Sequence, residues 1–419
     1  MAREFDVVLF GATGYTGTKI FTQLLKSRFS EKIAIAGRNR ESLESTLRDV
    51  APLVQETGTN CQVIVADSSD QASLFRMAKA AKVLINAVGP FRFHGRAVVQ
   101  ACVDAGTHYL DISGEPEFME RMELDFGDAA RDKGVFIVSA CGFDSVPVDL
   151  GNAMVYDTFQ PGCCTSVETF IELVSGPSGL VLHYPTYESA VHGIGSTDEL
   201  KMLRRELAKK REARNVVEKK SKFPLKMKPP GTYVADVDKF VIPFIGADAS
   251  VVRRSQIELE QSYSSKVYMC LPSKWRFYQF AVYGSIFKLL AGYSFGRRML
   301  LGAPRLFCPI VSTSGPTEQQ LKETRFKVTL IGRGMENEGD EQPSKTVKLE
   351  INGPEPGYIA CSIFITCAAR ILMDDGEQHL GCGKKGGVLT PASLLLKTSY
   401  VDLLKQHGIT FSFSDTSSS

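Results

Sequence analysis

The ten cysteines of this 419-residue chain include no Cys-x-x-Cys pair and no cysteine–histidine spacing of the kind that holds zinc. With one vicinal pair, Cys163-Cys164, at otherwise irregular intervals, the pattern excludes a disulfide framework and a structural zinc site. It fits reduced, buried thiols, and no metal is expected. The Gly-x4-Gly-Lys-Ser/Thr register of a nucleotide-hydrolysing loop is also missing, which disfavours an ATPase. An excess of one charge is lacking as well, since the formal net charge is only +2. That small number hides an asymmetry: Lys201 to Pro230 holds twelve Lys/Arg against three Glu, a local +9, so the remainder carries −7. A protein basic throughout, such as a nucleic-acid binder, is thereby excluded. The first strand begins by Asp6, directly after MARE. No room is left for a secretory signal or transit peptide, and a cytosol-facing protein is expected. Internal repeats are absent too.

What the chain does have is length and apolar content, 43% of its residues, enough for two or three cores. From Phe5 to about Ala140, short β-branched runs (DVVLF, KIAIAGR, QVIVAD, KVLINAVG, HYLDIS, VFIVSAC) alternate with amphipathic helical stretches. Apolar strands separated by helices predict a Rossmann-type, doubly wound parallel sheet over residues 1–148. Beyond Asp149 the strands are longer and looser (SVETFIEL, RFKVTLIG, KTVKLEING). They predict a second α+β domain with a mainly antiparallel sheet over 149–384, carrying a basic segment, 201–228, and an apolar segment, 275–309. MENEGDEQPSK reads as an exposed hairpin loop. GGVLTPASLLL opens a helical region, 385–412, expected to pack back on the core.

The first strand runs into GATGYTG, three glycines spaced three apart. Strand, glycine turn and helix form the setting in which such a motif is informative, because a helix N-terminus offers bare N–H groups to a diphosphate. Gly11 then makes the tight turn, Gly14 lets the diphosphate approach, and Gly17 lets helix and strand pack closely. At the end of the second strand an NAD site wants a carboxylate. This chain has Arg38 there, with Arg40 behind it, and a guanidinium suits a 2′-phosphate, so NADP(H) is expected ahead of NAD(H). Asp67, ending the third strand, either lies near the adenine or caps the next helix. Asn86 to Pro90 should line the nicotinamide half.

GATGYTG, AGRN, NAVGPFRFHG, YLDISGEPEF and SACGFDSVP, followed by TYESAVHG, ADASVVRRS, SFGRRMLLGAP, SGPTEQQ, NGPEPGY and GGVLTPA, closely resemble the saccharopine dehydrogenase-like oxidoreductases over nearly the whole chain. The resemblance implies NADP contacts at Gly11, Thr13, Gly14, Tyr15, Thr16, Gly17, Arg38, Asn39, Asp67, Asn86 and Gly89. It supplies no agreed catalytic residue. The family is similar in its N-terminal half to saccharopine reductase and to bacterial trans-acting enoyl reductases of glycolipid synthesis. Its eukaryotic members are associated with lipid droplets and other membranes, which implies a lipid-facing protein.

A carbonyl, imine or enoyl reduction wants a proton donor near the hydride acceptor. The candidates at strand ends are Asp111 and Glu115 in YLDISGEPEF and Asp144 in GFDSVP, with Tyr187 in TYESAVHG offered by the second domain. Each carboxylate could equally be a cap or a buried hydrogen-bond partner. His94 and His108 read as structural. Tyr15 and Lys19 have the spacing of a short-chain dehydrogenase pair, but Tyr15 belongs to the diphosphate turn and cannot also reach the nicotinamide. Saccharopine carries three carboxylates, whereas only Arg92 and Arg96 stand near these clusters, so a small or lipid-linked, less anionic substrate is expected. The alternatives are a true saccharopine reductase and a non-catalytic dinucleotide-binding scaffold or sensor at lipid droplets. The apolar segment from Trp275 is interrupted by Lys288 and followed by Arg297 and Arg298. It should not span a bilayer; it is either interfacial on a lipid surface or a buried or homodimer-interface helix. The basic run is either a solvated helix face or a contact for anionic headgroups.

Overall fold

The computed structural model describes residues 3–28, 32–195, 197–216, 218–337, 340–374 and 383–415. The chain divides into two compact units, 1–146 with 357–407, and 147–356 with 408–419. The first unit opens with β1 (Phe5–Phe10), α1 (Tyr15–Ser27), β2 (Lys32–Gly37), α2 (Arg40–Asp49), α3 (Ala51–Thr57), β3 (Asn60–Val65), α4 (Gln71–Ala80), β4 (Ala81–Asn86), α5 (Phe91–Ala105), β5 (His108–Asp111), α6 (Pro116–Asp132) and β6 (Phe136–Val138). Val7, Val8 and Leu9 of β1 are fully buried, so both faces of the strand are covered, as an all-parallel sheet with helices on each side requires. In α1 the core-facing residues are Ile20, Phe21, Leu24 and Leu25. Their spacing is one stripe of a 3.6-residue helix, and burying each contributes about 1.5–3 kcal/mol.

The second unit follows with α7 (Val146–Asp157), β7 (Cys163–Val174), β8 (Leu182–His183), α8 (Tyr184–Gly195), α9 (Thr197–Glu212), β9 (Thr232–Val234), β10 (Lys239–Pro243), α10 (Asp248–Glu258), β11 (Ser264–Leu271), α11 (Lys274–Ala291), α12 (Ser294–Gly302), α13 (Pro304–Phe307), β12 (Val311–Ser312), α14 (Glu318–Glu323), β13 (Arg325–Met335) and β14 (Lys345–Gly353). The chain then returns through α15 (Cys361–Asp374), β15 (Gly387–Leu389), α16 (Pro391–Leu395) and α17 (Tyr400–Gln406), and ends in β16 (Thr410–Asp415).

The first sheet has the order β15-β6-β5-β4-β1-β2-β3 and is parallel throughout. The strand order reverses between β1 and β4, and the crevice above that point is where a doubly wound fold takes its ligand. The second sheet, β16-β14-β13-β7-β11-β10-β9, is antiparallel except for the parallel pair β11–β7. It is therefore the mainly antiparallel second sheet expected beyond Asp149.

The C-terminal third differs from the sequence expectation. The second unit gives up the chain at Pro356, well before residue 384, and GVL at 387–389 is a strand pairing with β6, not the opening of a helix. The reason is packing. α15 lies against α1, β4 and β5, and its apolar residues complete the core of the first unit. Pro356–Met373 is the one segment among the described residues long and apolar enough to cross a membrane, with mean hydropathy 1.5, and 78% of it is buried within the protein. Part of the hairpin-loop expectation, residues 338 and 339, lies outside the described residues.

Candidate active site

The site is built on the carboxyl edge of the parallel sheet. Gly11 has φ of +91°, a value only glycine adopts easily, and an added Cβ there would fall 2.8 Å from Val88 Cγ2. At Gly17 a Cβ would stand 2.0 Å from the Gly11 carbonyl oxygen; the close approach of helix to strand requires a hydrogen at that position. Gly14 differs from both. It is the N-cap of α1, no side chain caps the helix start, and a Cβ would meet nothing nearer than Gly11 O at 3.4 Å. With no side-chain cap at the start of α1 and room beside Gly14, the turn suits a diphosphate. Thr13 and Gly14 are exposed, with Tyr15 and Thr16 half-buried beside them. Lys19 Nζ lies over the Tyr15 ring, 5.8 Å from its centre, so the Tyr15–Lys19 pair is occupied with itself at the turn.

Arg38 follows β2 in an exposed position. Its neighbour Asn39 is the N-cap of α2, accepting from Ser42 N at 2.9 Å, which fixes where the chain turns and leaves the guanidinium outside the helix. Asp67 does not cap α4; Asp70 does, accepting from Ala72 N. The Asp67 carboxylate instead accepts from Ser69 Oγ at 2.7 Å and Ser69 N at 2.8 Å, and these bonds, with Arg38 nearby, hold its pKa below the ordinary value. The ends of β2 and β3 thus bring a cation near a carboxylate.

Asn86, fully buried at the end of β4, donates to the Tyr109 hydroxyl at 3.1 Å and accepts from Val88 N at 3.0 Å. It shapes the turn that carries Gly89, which closes on Glu115. The Glu115 carboxylate accepts from Phe91 N at 3.0 Å and Arg92 N at 3.1 Å, and stands 3.7 Å from Arg92 Nε. Glu115 is a cap for α5 supplied from a distant part of the chain. Asp111 is likewise committed. It is fully buried and accepts from Ser113 N, Ala140 N and Ser139 Oγ at 2.9–3.0 Å and from the Tyr109 hydroxyl. Burial pushes its carboxyl up to about 6 against the opposing pull of those donors. Ala140 takes a φ of +62°, so Asp111 ties down a strained turn after β6.

Asp144 is different. Its side chain is exposed, yet the surrounding protein desolvates it enough to raise its pKa, with no other cause contributing. Its Oδ2 lies where a Cβ on Gly114 would sit, 2.3 Å away, and among the described residues its carboxyl has no hydrogen-bond or ion-pair partner. Tyr187, in the second unit, is buried on α8 with its ring against Phe287 and its hydroxyl donating to Leu300 O at 3.2 Å. His108 Nδ1 accepts from Phe136 N, and burial pushes its pKa down to about 4.

Tyr358 was not foreseen. It precedes α15 in NGPEPGY and meets Tyr15 edge-on, with ring centres 4.8 Å apart, so the returning chain supplies part of the wall beside the glycine turn. The motif was visible, but nothing local in it points to a partner more than 300 residues earlier.

Comparison with known proteins decides the family. Residues 7–138 match the saccharopine dehydrogenase NADP binding domain. A human saccharopine dehydrogenase-like oxidoreductase is 34% identical over 427 residues, 98% of this chain and 97% of that protein. The chain belongs to the saccharopine dehydrogenase-like oxidoreductase family. A lipid droplet localized protein of Caenorhabditis elegans is 33% identical over 97% of the chain and 98% of its own length. A putative trans-acting enoyl reductase of Mycobacterium tuberculosis is 39% identical over 37% of the chain. Yeast apo saccharopine dehydrogenase (L-Glu forming) shares the fold with a TM-score of 0.55, 12% identity, and coverage of 98% of this chain and 100% of that one. As a member of the family, the chain is an NADP(H)-binding oxidoreductase, and the glycine turn with its uncapped helix fits that cofactor.

Proposed function

We propose that the enzyme reduces a carbonyl or an activated carbon–carbon double bond of a small or lipid-linked substrate with NADPH, and that Asp144 gives the proton. Bound at the glycine turn, the cofactor would supply a hydride. Gly11, Thr13, Gly14, Tyr15, Thr16 and Gly17 would hold its diphosphate, Arg38 and Asn39 its 2′-phosphate, Asp67 its adenosine end, and Asn86 and Gly89 its nicotinamide half. The observation that carries the catalytic part is the contrast between Asp144 and the other candidates. Asp111, Glu115 and Tyr187 have their polar atoms engaged within the fold, whereas Asp144 is reachable, uncommitted and held toward its protonated form. A carboxyl in that state delivers a proton to the reduced substrate and is left as carboxylate, to be reprotonated from water.

Support for a lipid-linked substrate and a peripheral place on a lipid surface, cytosol-facing at a lipid droplet or another membrane, comes from the names of two relatives. It also comes from the commitment of the two nearby guanidiniums. Arg92 is ion-paired with Glu115 and Glu117, and Arg96 with Asp125, so neither is held in reserve for a tricarboxylate. The test is NADPH oxidation by the purified chain with a 2-enoyl thioester, a long-chain ketone and the saccharopine-forming substrates. Turnover of the first or second that drops in Asp144→Asn supports the reading, and robust saccharopine chemistry overturns it. The scaffold alternative draws on the same engagement of Asp111, Glu115 and Tyr187; it predicts NADPH binding with no oxidation in any arm.

A further inference from the structure

Helix α11 is apolar on two opposite faces. At 100° per residue Phe277, Ala281, Gly284, Phe287 and Ala291 share one stripe, and three of these pack within the second unit, although Phe280 and Lys288 on the same side are exposed. The Phe277 ring lies over Gly231, Phe287 meets Tyr187, and Ala291 is fully buried. On the far side Trp275, Tyr278, Val282, Ile286, Leu289 and Tyr293 recur every three or four residues and are 44–69% exposed. Phe295 and Met299 on α12, Leu306 on α13 and Ile310 are exposed as well. A helix that served only its own core would turn polar residues outward, and a contiguous apolar face of this kind marks an interaction surface.

The charge around the patch has one sign. From Gln261 to Thr317 the sequence contains seven Lys/Arg and no Asp or Glu. Arg298 on α12 is exposed and, among the described residues, forms no ion pair; Lys274 and Lys288 are exposed too, on the Phe277 side of α11. A second copy of the chain docking here would bring the same uncompensated positive charge to both sides of the interface, which is repulsive. An anionic lipid leaflet has the complementary charge, and tryptophan and tyrosine with flanking cations are the residues that settle at headgroup level.

We propose that the outward face of α11, with α12 and α13, inserts into the surface of an anionic phospholipid leaflet. The inference rests on the peripheral lipid association proposed above, and it names the face and the lipid charge. Trp275 is the single tryptophan of the chain, so intrinsic fluorescence reports on this face alone. The experiment mixes the full chain with vesicles of phosphatidylcholine plus phosphatidylserine, or of phosphatidylcholine alone. It reads co-sedimentation, the emission of Trp275 and its quenching by brominated acyl chains, with an NADPH titration in parallel.

Expected are co-sedimentation, a blue shift and quenching with the phosphatidylserine vesicles, each weakened by salt. Ile286→Glu and Leu289→Glu should each lower partitioning by about tenfold or more and leave NADPH binding unchanged, since both residues point away from the core. Co-sedimentation without a Trp275 shift overturns the inference and leaves lipid association standing through another face, such as the basic α9. Failure to sediment at all overturns both. A blue shift that grows with protein concentration in the absence of vesicles also overturns it, in favour of self-association.

Discussion

Replacing Asp111 by asparagine separates a positioning role from a catalytic one, because the structure says how much of each would be lost. Oδ1 of Asp111 accepts the two backbone N–H groups of Ser113 and Ala140, and Oδ2 accepts the Ser139 hydroxyl. An asparagine can keep its oxygen on the backbone pair and turn its NH2 toward the Ser139 hydroxyl, which reverses as an acceptor, while the Tyr109 hydroxyl keeps its bond from Asn86 and gives up the one to residue 111. The geometry is retained and the titration is removed. In the wild type the carboxyl rises from 3.8 to about 6. A folded pKa above the unfolded one means stability fully present below pH 4 and lost as pH rises toward 6. The loss comes to about 3 kcal/mol at 1.36 kcal/mol per unit. Because the chain has two units, a single global unfolding transition is not assumed. Hydrogen exchange of the β5 amides, measured from about pH 4 to 7 after correction for intrinsic rates, reads the local free energy. The wild type should lose protection across that window and Asp111→Asn should not. Equal slopes in the two proteins would refute the assignment of the shift. A fall in turnover of a hundredfold or more in Asp111→Asn, with NADPH affinity intact, would refute the positioning role.

Two further substitutions probe the site from other sides. Gly14→Ala has room in the protein and an unstrained φ of −74°; it should fold with an unchanged melting temperature yet lose at least tenfold in NADPH affinity by calorimetry, since its methyl enters the space reserved for the diphosphate. Gly114→Ala places a methyl 2.3 Å from Asp144 Oδ2 and should mimic Asp144→Asn, each lowering kcat by about 10²–10⁴ with little change in cofactor affinity. Reduction should also fade as pH rises through the elevated Asp144 pKa, and a flat profile would remove Asp144 as the donor.

The parts of this protein that can be read from its sequence are those whose cause is local. Alternation of DVVLF, KIAIAGR and their successors with amphipathic helices reports the parallel sheet directly, because each strand must be apolar on both faces. Three glycines after β1 mark the tight turn and the close helix–strand approach, since each acts through its own backbone, and Arg38 after β2 shows its charge locally. Residues whose role depends on distant partners are opaque. Asp111, Glu115 and Asp144 are similar carboxylates after strands, and only the arrival of Ser139 and Ala140 at the first, and of the α5 amides at the second, tells them apart from the third. The return of residues 357–407 to the first unit leaves little local trace either. GVL is too short for periodicity to mark it as a strand, and its place beside β6 is set by the packing of α15. The apolar segment from Trp275 carries apolar residues on both sides of α11, and only the contacts of Phe277 and Phe287 distinguish its packed side.

The central claim is that bare amides at the start of α1 hold a diphosphate while Arg38 selects the phosphorylated ribose. Isothermal titration of the purified chain with NADPH and NADH, in the wild type and in Arg38→Ala, measures it directly. Tighter binding of NADPH than NADH is predicted in the wild type. The substitution should remove most of that preference, weakening NADPH about 10- to 100-fold as loss of a charge-assisted bond would, and leave NADH unchanged. Absence of heat with either nucleotide, or an Arg38→Ala protein that still prefers NADPH, would contradict the account.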